Sequence, residues 1–372
     1  MADLLLQSFS DELLGALLSW LPLRAIGRCA SVCRTWRGVP TTFAAQLRAL
    51  RLRLHASTAE SLLRLERREA WRHAVREVAA FPSAISGNGL ALLDAGGGWV
   101  VSKAHGLDGR KVGMYPQRGG AQSRALEGHE ADIMAVAADS REGRLVSGDI
   151  HGELRVWDAR TGACIATVQS GGLVFAVALR GEAVASGGEE KLARLHWWRS
   201  GALARAFPAD GDVEGLALSG DRLAFVDGSG RTAAVCSVEG GKLRSWSHPA
   251  STLAVALQAA SARAWTGCAD KLVRCFCLDT GECLRVLAGH QDAVNGLSLA
   301  GDVLASVGFR DKIACLWSAS SGEALTSLSI NGMGIVYAVS LSLQQGIIAV
   351  ADYDGGNTDG SKIRVFRPLD YP

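Results

Sequence analysis

The sequence has no excess of charge of either sign and no long apolar run. Its 39 basic and 37 acidic side chains leave a formal net charge of +2. Nucleic-acid-binding proteins usually carry a clear excess of basic residues, and this sequence has no such excess. No segment approaches the ~18 consecutive apolar residues that a membrane-spanning helix requires. The composition therefore predicts a protein that binds neither nucleic acid nor membranes.

Cysteine patterns and catalytic motifs are also missing. The nine cysteines show no C-x-x-C spacing, which argues against a zinc site. Their odd number is typical of reduced thiols, so we expect a cytoplasmic or nuclear protein. No G-x-S-x-G, H-E-x-x-H or P-loop motif is present, and we expect no catalysis, no cofactor and no metal. The loop 352–360 begins like a calcium loop, but Ile363 stands where its last acidic ligand belongs.

The region 1–83 does have the apolar period of α-helices. Along the first predicted helix the apolar positions are Leu13, Leu14, Leu17, Leu18 and Leu21. Along a later one, Trp71, Val75 and Val78 keep one face apolar. We therefore predict a small helical domain over 1–40 and a helical linker over 41–83.

From position 84 onward the pattern changes to short apolar strands separated by Gly, Asp and Asn. A similar segment recurs at intervals of roughly 40 residues and ends a predicted third strand each time. The recurring positions are Tyr115, Trp157, His196, Val235, Phe276, Trp317 and Phe366. Four short strands per unit at this period are typical of propeller blades. We predict an all-β propeller over 84–372 with seven blades, six and eight remaining open. A strand from near positions 76–95 would complete the last blade, or that blade would keep three strands.

Two of these units resemble WD repeats. One Gly-His pair ends at His129 and precedes Trp157, and another ends at His290 and precedes Trp317 at nearly the same spacing. The resemblance implies a polar network that links the strands within a blade. In blade six its expected members are His290, Ser306, Asp311 and Trp317. In blade two, His151 stands at the position of the aspartate.

The N-terminal segment resembles an F-box, whose pattern is Leu-Pro-x-Glu-Leu, then Leu-Pro, then Val-Cys-x-x-Trp. Ser10 replaces the first Pro, a change that helix capping by Ser tolerates. The resemblance implies that this segment binds a Skp-type adaptor. The residues expected to make that contact are Phe9, Leu13, Leu14, Leu17, Leu21, Pro22, Leu23, Val32, Cys33 and Trp36. About 40 residues are too few to bury all of these side chains, and surplus apolar surface indicates a partner site.

An F-box followed by a WD-repeat propeller resembles the substrate receptors of Skp–cullin–F-box ubiquitin ligases. That resemblance implies a non-catalytic adaptor, which reaches a cullin through the Skp-type protein and holds a protein substrate on its propeller. The competing hypothesis is a WD-repeat scaffold with no role in ubiquitin transfer. Recruitment of a cullin would separate the two.

The substrate surface is predicted on the propeller face that carries the hairpins between the second and third strands. The candidate side chains there are Lys191, Arg231, Lys271, Arg310, Lys312 and Tyr353. Of these, only Arg231 and Arg310 carry the guanidinium fork that binds phosphate bidentately. The sequence therefore disfavours a phosphopeptide pocket and leaves a basic or mixed peptide open.

Overall fold

The computed structural model describes residues 67–369, apart from residue 69 and residues 73–74, 83–89, 94–97, 104–108, 118–122, 228–230, 331–334 and 354–361. The segment that resembles an F-box, and the predicted linker up to position 66, therefore lie outside the described residues. In the described part of the chain, no helix is both long and apolar enough to cross a membrane.

Seven four-stranded antiparallel sheets follow one another along the chain and form the predicted seven blades. Blade one consists of β2 (Leu90–Leu93), β3 (Trp99–Lys103), β4 (Val112–Pro116) and β5 (Arg124–Leu126). Blade two consists of β6 (Ile133–Asp139), β7 (Arg144–Asp149), β8 (Glu153–Asp158) and β9 (Cys164–Gln169). Blade three consists of β10 (Val174–Arg180), β11 (Ala183–Gly188), β12 (Leu192–Trp197) and β13 (Ala202–Pro208).

Blades four to seven repeat this arrangement. Blade four consists of β14 (Val213–Ser219), β15 (Arg222–Asp227), β16 (Thr232–Ser237) and β17 (Lys242–Ser247). Blade five consists of β18 (Thr252–Gln258), β19 (Arg263–Cys268), β20 (Leu272–Cys277) and β21 (Cys283–Ala288), with a 3₁₀ turn at Ala259–Ser261. Blade six consists of β22 (Val294–Ala300), β23 (Val303–Gly308), β24 (Ile313–Ser318) and β25 (Ala324–Ser329). Blade seven consists of β26 (Ile335–Ser342), β27 (Ile347–Tyr353), β28 (Lys362–Pro368) and β1 (Val75–Pro82).

The outer strand of blade seven comes from the start of the propeller. β1 pairs antiparallel with β28, so the last blade has four strands and the ring is closed non-covalently. This corrects the helix expected up to position 83. The pairing shifts register between Glu77 and Ala79, so Val78 falls at the bulge and is exposed, while Val75 packs on the apolar core. The spacing of Trp71, Val75 and Val78 imitates a helical face, which explains the wrong prediction.

Six of the seven positions predicted from the repeat lie in equivalent register. Trp157 pairs with Leu145, and Trp317 pairs with Leu304, the second residue of the preceding strand in each blade. In blade four the predicted Val235 is one residue off, because Cys236 is the residue that pairs with Leu223. The small Cys236 therefore stands where blades two and six carry a tryptophan.

Neighbouring blades are joined by arginines on the outer strands. Each donates a hydrogen bond to a backbone carbonyl in the turn between the third and fourth strands of the next blade. The pairs are Arg124 with Arg160, Arg205 with Glu239, Arg244 with Asp279, and Arg285 with Ser320. All four bonds are exposed to solvent, so each contributes only about 0.5–1 kcal/mol to the blade interface that it joins.

Candidate protein-interaction surfaces and the networks that support them

A buried polar network crosses the strands of blade six. His290 Nδ1 lies 2.8 Å from Asp311 Oδ2, and His290 Nε2 lies 2.7 Å from Ser306 Oγ. Trp317 Nε1 donates to the same Ser306 Oγ at 2.8 Å. Because the indole N–H is only a donor, Ser306 Oγ accepts from it, and this oxygen also lies within hydrogen-bond distance of His290 Nε2 and of the Cys315 carbonyl. His290 Nδ1–H donates to the Asp311 carboxylate, so each of the four side chains in this chain of bonds has a partner.

Blade two builds the same network with a different aspartate. His129 Nδ1 lies 2.9 Å from Asp149 Oδ2, its Nε2 lies 2.6 Å from Ser147 Oγ, and Trp157 Nε1 donates to that oxygen at 2.9 Å. His151, which the repeat alignment placed at this position, is exposed. The carboxylate comes instead from the last residue of β7 because the hairpin that follows is one residue shorter. Burial lowers the pKa of His129, which keeps the ring neutral.

Blade five contains a third histidine at the same place, which the sequence pattern did not reveal. His248 precedes β18 by four residues, as His129 and His290 precede their first strands, but a serine replaces the preceding glycine. Neither ring nitrogen of His248 has a hydrogen-bond partner among the described residues. Asp270, which ought to accept from it, is held in a bidentate pair by Arg274. Burial and the nearby Arg274 charge lower the pKa of His248 to about 4.

Four of the six predicted substrate-binding residues lie at equivalent positions on consecutive blades. Lys191, Arg231, Lys271 and Lys312 each precede the third strand of blades three to six, with φ between 56° and 73°. Left-handed backbone costs about 1 kcal/mol for a side chain with a Cβ, and blade two has Gly152 there with φ 82°. None of the four forms an ion pair with a described residue. They form a row of available cations, and we call the end of the ring that carries them the hairpin face.

The other two predicted residues lie at the same end of the ring. Arg310 is exposed in the hairpin of blade six, with its guanidinium 5.4 Å from the centroid of the Phe309 ring. Phe309 in turn meets Tyr337 edge to face, with 5.4 Å between ring centroids. Tyr353 ends β27 beside the hairpin of blade seven, which lies outside the described residues. The hairpin face thus combines cations with aromatic surface.

A β-bulge near the start of the first strand adds residues that the sequence did not identify. In six blades one residue falls out of register opposite the end of the second strand. These residues are Met134, Phe175, Glu214, Leu253, Asn295 and Tyr337. All six are half-buried, and Leu253 and Asn295 line the central channel. Bulges re-aim side chains, and here they bring mixed polar and apolar groups to the hairpin end of the ring.

The opposite end of the ring receives the chain as it enters the propeller. Trp71 has no exposed surface and packs in the apolar core of blades six and seven. Arg68 forms an ion pair of 2.8 Å with Asp302, in the turn after β22, and Arg72 one of 2.7 Å with Glu323, in the turn before β25. Both turns lie at the end of blade six away from the hairpin face. The described residues of the entry segment, within 67–72, are therefore part of the propeller and lie away from the hairpin face.

Comparison with known proteins agrees with this architecture. The family model of the WD domain, G-beta repeat, matches residues 120–158 and 281–318, which include the networks of blades two and six. The crystal structure of the WD40 beta propeller domain of Doa1 is similar with a TM-score of 0.67 at 16% identity, covering 80% of this chain and 98% of that one. No curated protein sequence matches significantly. The chain carries WD40 repeats and folds as a seven-bladed WD40 propeller, a protein-interaction fold.

Proposed function

We propose that this chain is the substrate-recognition adaptor of a Skp–cullin–F-box ubiquitin ligase. The observation that carries the proposal is the order of features along the chain. A segment that resembles an F-box, with Leu13, Leu21 and Pro22 at key positions, precedes an entry segment that is anchored in the propeller by Trp71. The anchor lies at the end of blade six away from the hairpin face, and in this proposal the hairpin face is the surface that binds the substrate.

In this proposal the chain performs no chemistry of its own. The hairpin face binds the substrate through available cations and aromatic surface, while the F-box-like segment binds the Skp-type adaptor and, through it, a cullin. Two ion pairs and a buried indole hold the entry segment. Limiting its motion would keep the substrate lysine at a constant reach, since orientation lowers the entropic part of a transfer barrier.

Affinity capture of the full-length chain tests the proposal. Wild type is compared with Leu13→Ala/Leu21→Ala/Pro22→Ala and with Lys191→Ser/Lys271→Ser/Lys312→Ser, and co-purified proteins are identified by mass spectrometry. We expect the first variant to lose a Skp-type protein and a cullin while keeping other partners. The second should keep the ligase subunits and lose propeller partners. If neither a Skp-type protein nor a cullin co-purifies with the folded wild-type chain, the proposal is wrong.

The second candidate is a scaffold that uses only its propeller. The observation in its favour is that the matches with known proteins concern WD40 repeats and the propeller alone. A scaffold would keep all its partners in the Leu13→Ala/Leu21→Ala/Pro22→Ala variant and would bring down no cullin with wild type. The same experiment therefore separates the two functions.

A further inference from the structure

A central channel lies between the first strands of the seven blades and has a volume of about 240 Å³. Most of the side chains that line it are apolar or are glycines. Leu253 and Asn295, the bulge residues of blades five and six, line its end at the hairpin face. The volume is below the ~300–1,000 Å³ of pockets that take whole small molecules, so the channel suits a single side chain.

Blade four brings a carboxylate to this end of the channel. Glu214 is the bulge residue of β14, and the next residue, Gly215, lines the channel. Among the six bulge residues described above, Glu214 is the one that carries a charge. It is half-buried, and burial together with the charges of Asp212 and Asp227 raises its pKa. We call this end of the channel, marked by Glu214 and Asn295, the channel mouth.

Asp227, which faces Glu214 across the bulge, is a carboxylate of the blade network without its histidine. It is the last residue of β15, as Asp149 is the last residue of β7. Asp149 accepts from His129, but Ala209 stands at the equivalent place, four residues before β14. Asp227 is 1% exposed, and its Oδ1 has no hydrogen-bond partner among the described residues. Its charge therefore adds to the negative potential at Glu214.

Asn295 contributes a further acceptor from blade six. Its Nδ2 donates to the Val336 carbonyl at 2.8 Å, and its Oδ1 has no partner in the part of the chain that the structure describes. A ligand that complements this mouth must therefore bring donors and positive charge. A bare metal ion does not fit, because Asp212, Glu214 and Asp227 are not among the described groups whose ligand atoms all lie within 4.8 Å of one another.

We propose that the channel mouth binds the guanidinium group of an arginine presented by a protein partner. A guanidinium has five N–H donors in a rigid fork and no acceptor, whereas a lysine ammonium is a compact point charge. Acceptors that are spread around a mouth favour the fork. This inference rests on the proposed function and deepens it, because it names the chemistry of the substrate that the hairpin face binds.

The residues on either side of that arginine are selected by the cations farther from the axis. Lys191, Lys271 and Lys312 precede third strands, which lie about 10 Å from the first strands at ~4.8 Å per strand. Two extended residues span about 7 Å, and the side chains supply the remaining reach. Side chains two positions apart also point to the same side of an extended segment. The inferred partner motif is therefore Asp-x-Arg-x-Asp or Glu-x-Arg-x-Glu.

The test titrates capped pentapeptides against the full-length chain by saturation-transfer NMR. N-acetyl-Asp-Ala-Arg-Ala-Asp-amide is the main probe. One comparison replaces arginine by citrulline, a neutral group of the same shape, and another replaces both aspartates by lysine. We expect saturable binding of the main probe and at least ~10-fold weaker binding of each comparison, the factor that one lost charged hydrogen bond produces. Equal binding of the citrulline peptide, or no saturable binding of the main probe, would overturn the proposal.

Two variants locate the binding at the channel mouth. Glu214→Gln keeps the size of the side chain, relieves the crowding of carboxylates and should abolish the preference for arginine over citrulline without lowering the melting temperature. Lys191→Ser/Lys271→Ser/Lys312→Ser should keep that preference and lose the preference for aspartate over lysine. Glu130→Gln, at an exposed position of blade two, is the matched control and should bind like wild type. An unchanged preference for arginine in Glu214→Gln would refute the assignment.

The peptide titration involves neither ligase subunit, so its failure is distinct from failure of the proposed function. A chain that captures a Skp-type protein and a cullin but binds no arginine peptide contradicts this inference alone. A chain that binds the arginine peptide through Glu214 but captures neither subunit contradicts the ligase proposal and supports the arginine site.

Discussion

Blades six and four hold equivalent places in the ring but are held together by different chemistry. Blade six uses a tryptophan, a serine and a histidine that satisfy one another. At the same register blade four has Cys236, Phe225 and Ala209, and these three side chains do not build such a network. The comparison shows that the blade fold requires a filled and satisfied interior, and that either polar or apolar groups meet that requirement. Blade five has the buried histidine of the network but not its hydrogen bonds. We therefore expect blade five to be less stable than blades two and six.

The largest effect should come from removing the indole of blade six. Trp317→Ala deletes a buried aromatic side chain and the N–H that donates to Ser306 Oγ, and we expect a loss of about 4 kcal/mol in the free energy of unfolding. Cys236→Ala, at the same place in blade four, removes one small apolar group and should cost about 1 kcal/mol. Denaturant unfolding of both variants checks the contrast. Equal losses would mean that the two blades do not differ in this way.

The buried His248 of blade five should make the folded protein less stable in acid. The pKa of His248 is lowered to about 4 in the folded chain, against about 6.5 unfolded. The unfolded chain therefore binds a proton first, and stability falls as the pH drops from about 6.5 towards 4, by up to roughly 3 kcal/mol. His248→Phe should remove much of that loss.

Unfolding of wild type and His248→Phe at several pH values between 7 and 4 measures the effect. His151→Phe, at an exposed position, is the control and should keep the wild-type pH dependence. Because the pKa of His129 is also lowered by burial, His248→Phe should keep a smaller residual loss. An identical pH profile in wild type and His248→Phe would contradict the role given to blade five.

A smaller difference in stability is expected between variants at positions 149 and 151 of blade two. These are the two positions considered for the aspartate of the network. Asp149→Ala removes the acceptor of the buried His129 and of two backbone N–H groups in the hairpin, and we expect a loss of about 2 kcal/mol. His151→Ala, at the exposed neighbouring site, should change stability by less than ~0.5 kcal/mol. If His151→Ala lowers the melting temperature more than Asp149→Ala, then His151 and not Asp149 belongs to the network.

The smallest effect is expected from Lys271→Gly, which changes the backbone preference at one position of the hairpin face. Lys271→Gly relieves left-handed backbone and should stabilise the chain by about 0.5–1 kcal/mol, while weakening any partner held by that cation. Gly152→Ala in blade two should destabilise instead, because an added Cβ would lie 1.7 Å from the carbonyl oxygen of Gly171. Calorimetric melting temperatures of the two variants measure the opposite signs.

Much of the architecture was predictable because the repeat is periodic. The spacing of Trp157, Phe276 and Trp317 predicted seven blades, and the described structure has seven. The errors fall where local geometry breaks the period: the bulge in β1, the shortened hairpin before β8 and the one-residue shift at Cys236. The side chains that the first-strand bulges bring to the hairpin end, such as Leu253 and Asn295, were not predictable, because a bulge is decided by the pairing of two strands.

Residue types and their spacing along one chain were enough to define the repeat, to favour seven blades over six or eight, to offer a strand near positions 76–95 for the last blade, and to identify the partners within the network of blade six. Two features emerged from the folded ring alone: the use of Asp149 in place of His151, and the burial of Trp71 in the core of blades six and seven. The physical reason is distance along the chain. Trp71 packs among residues of blades six and seven, and Arg68 meets Asp302 at a sequence separation of 234. Contacts of that range are selected by packing and charge in the folded ring, and they leave no local pattern in the sequence.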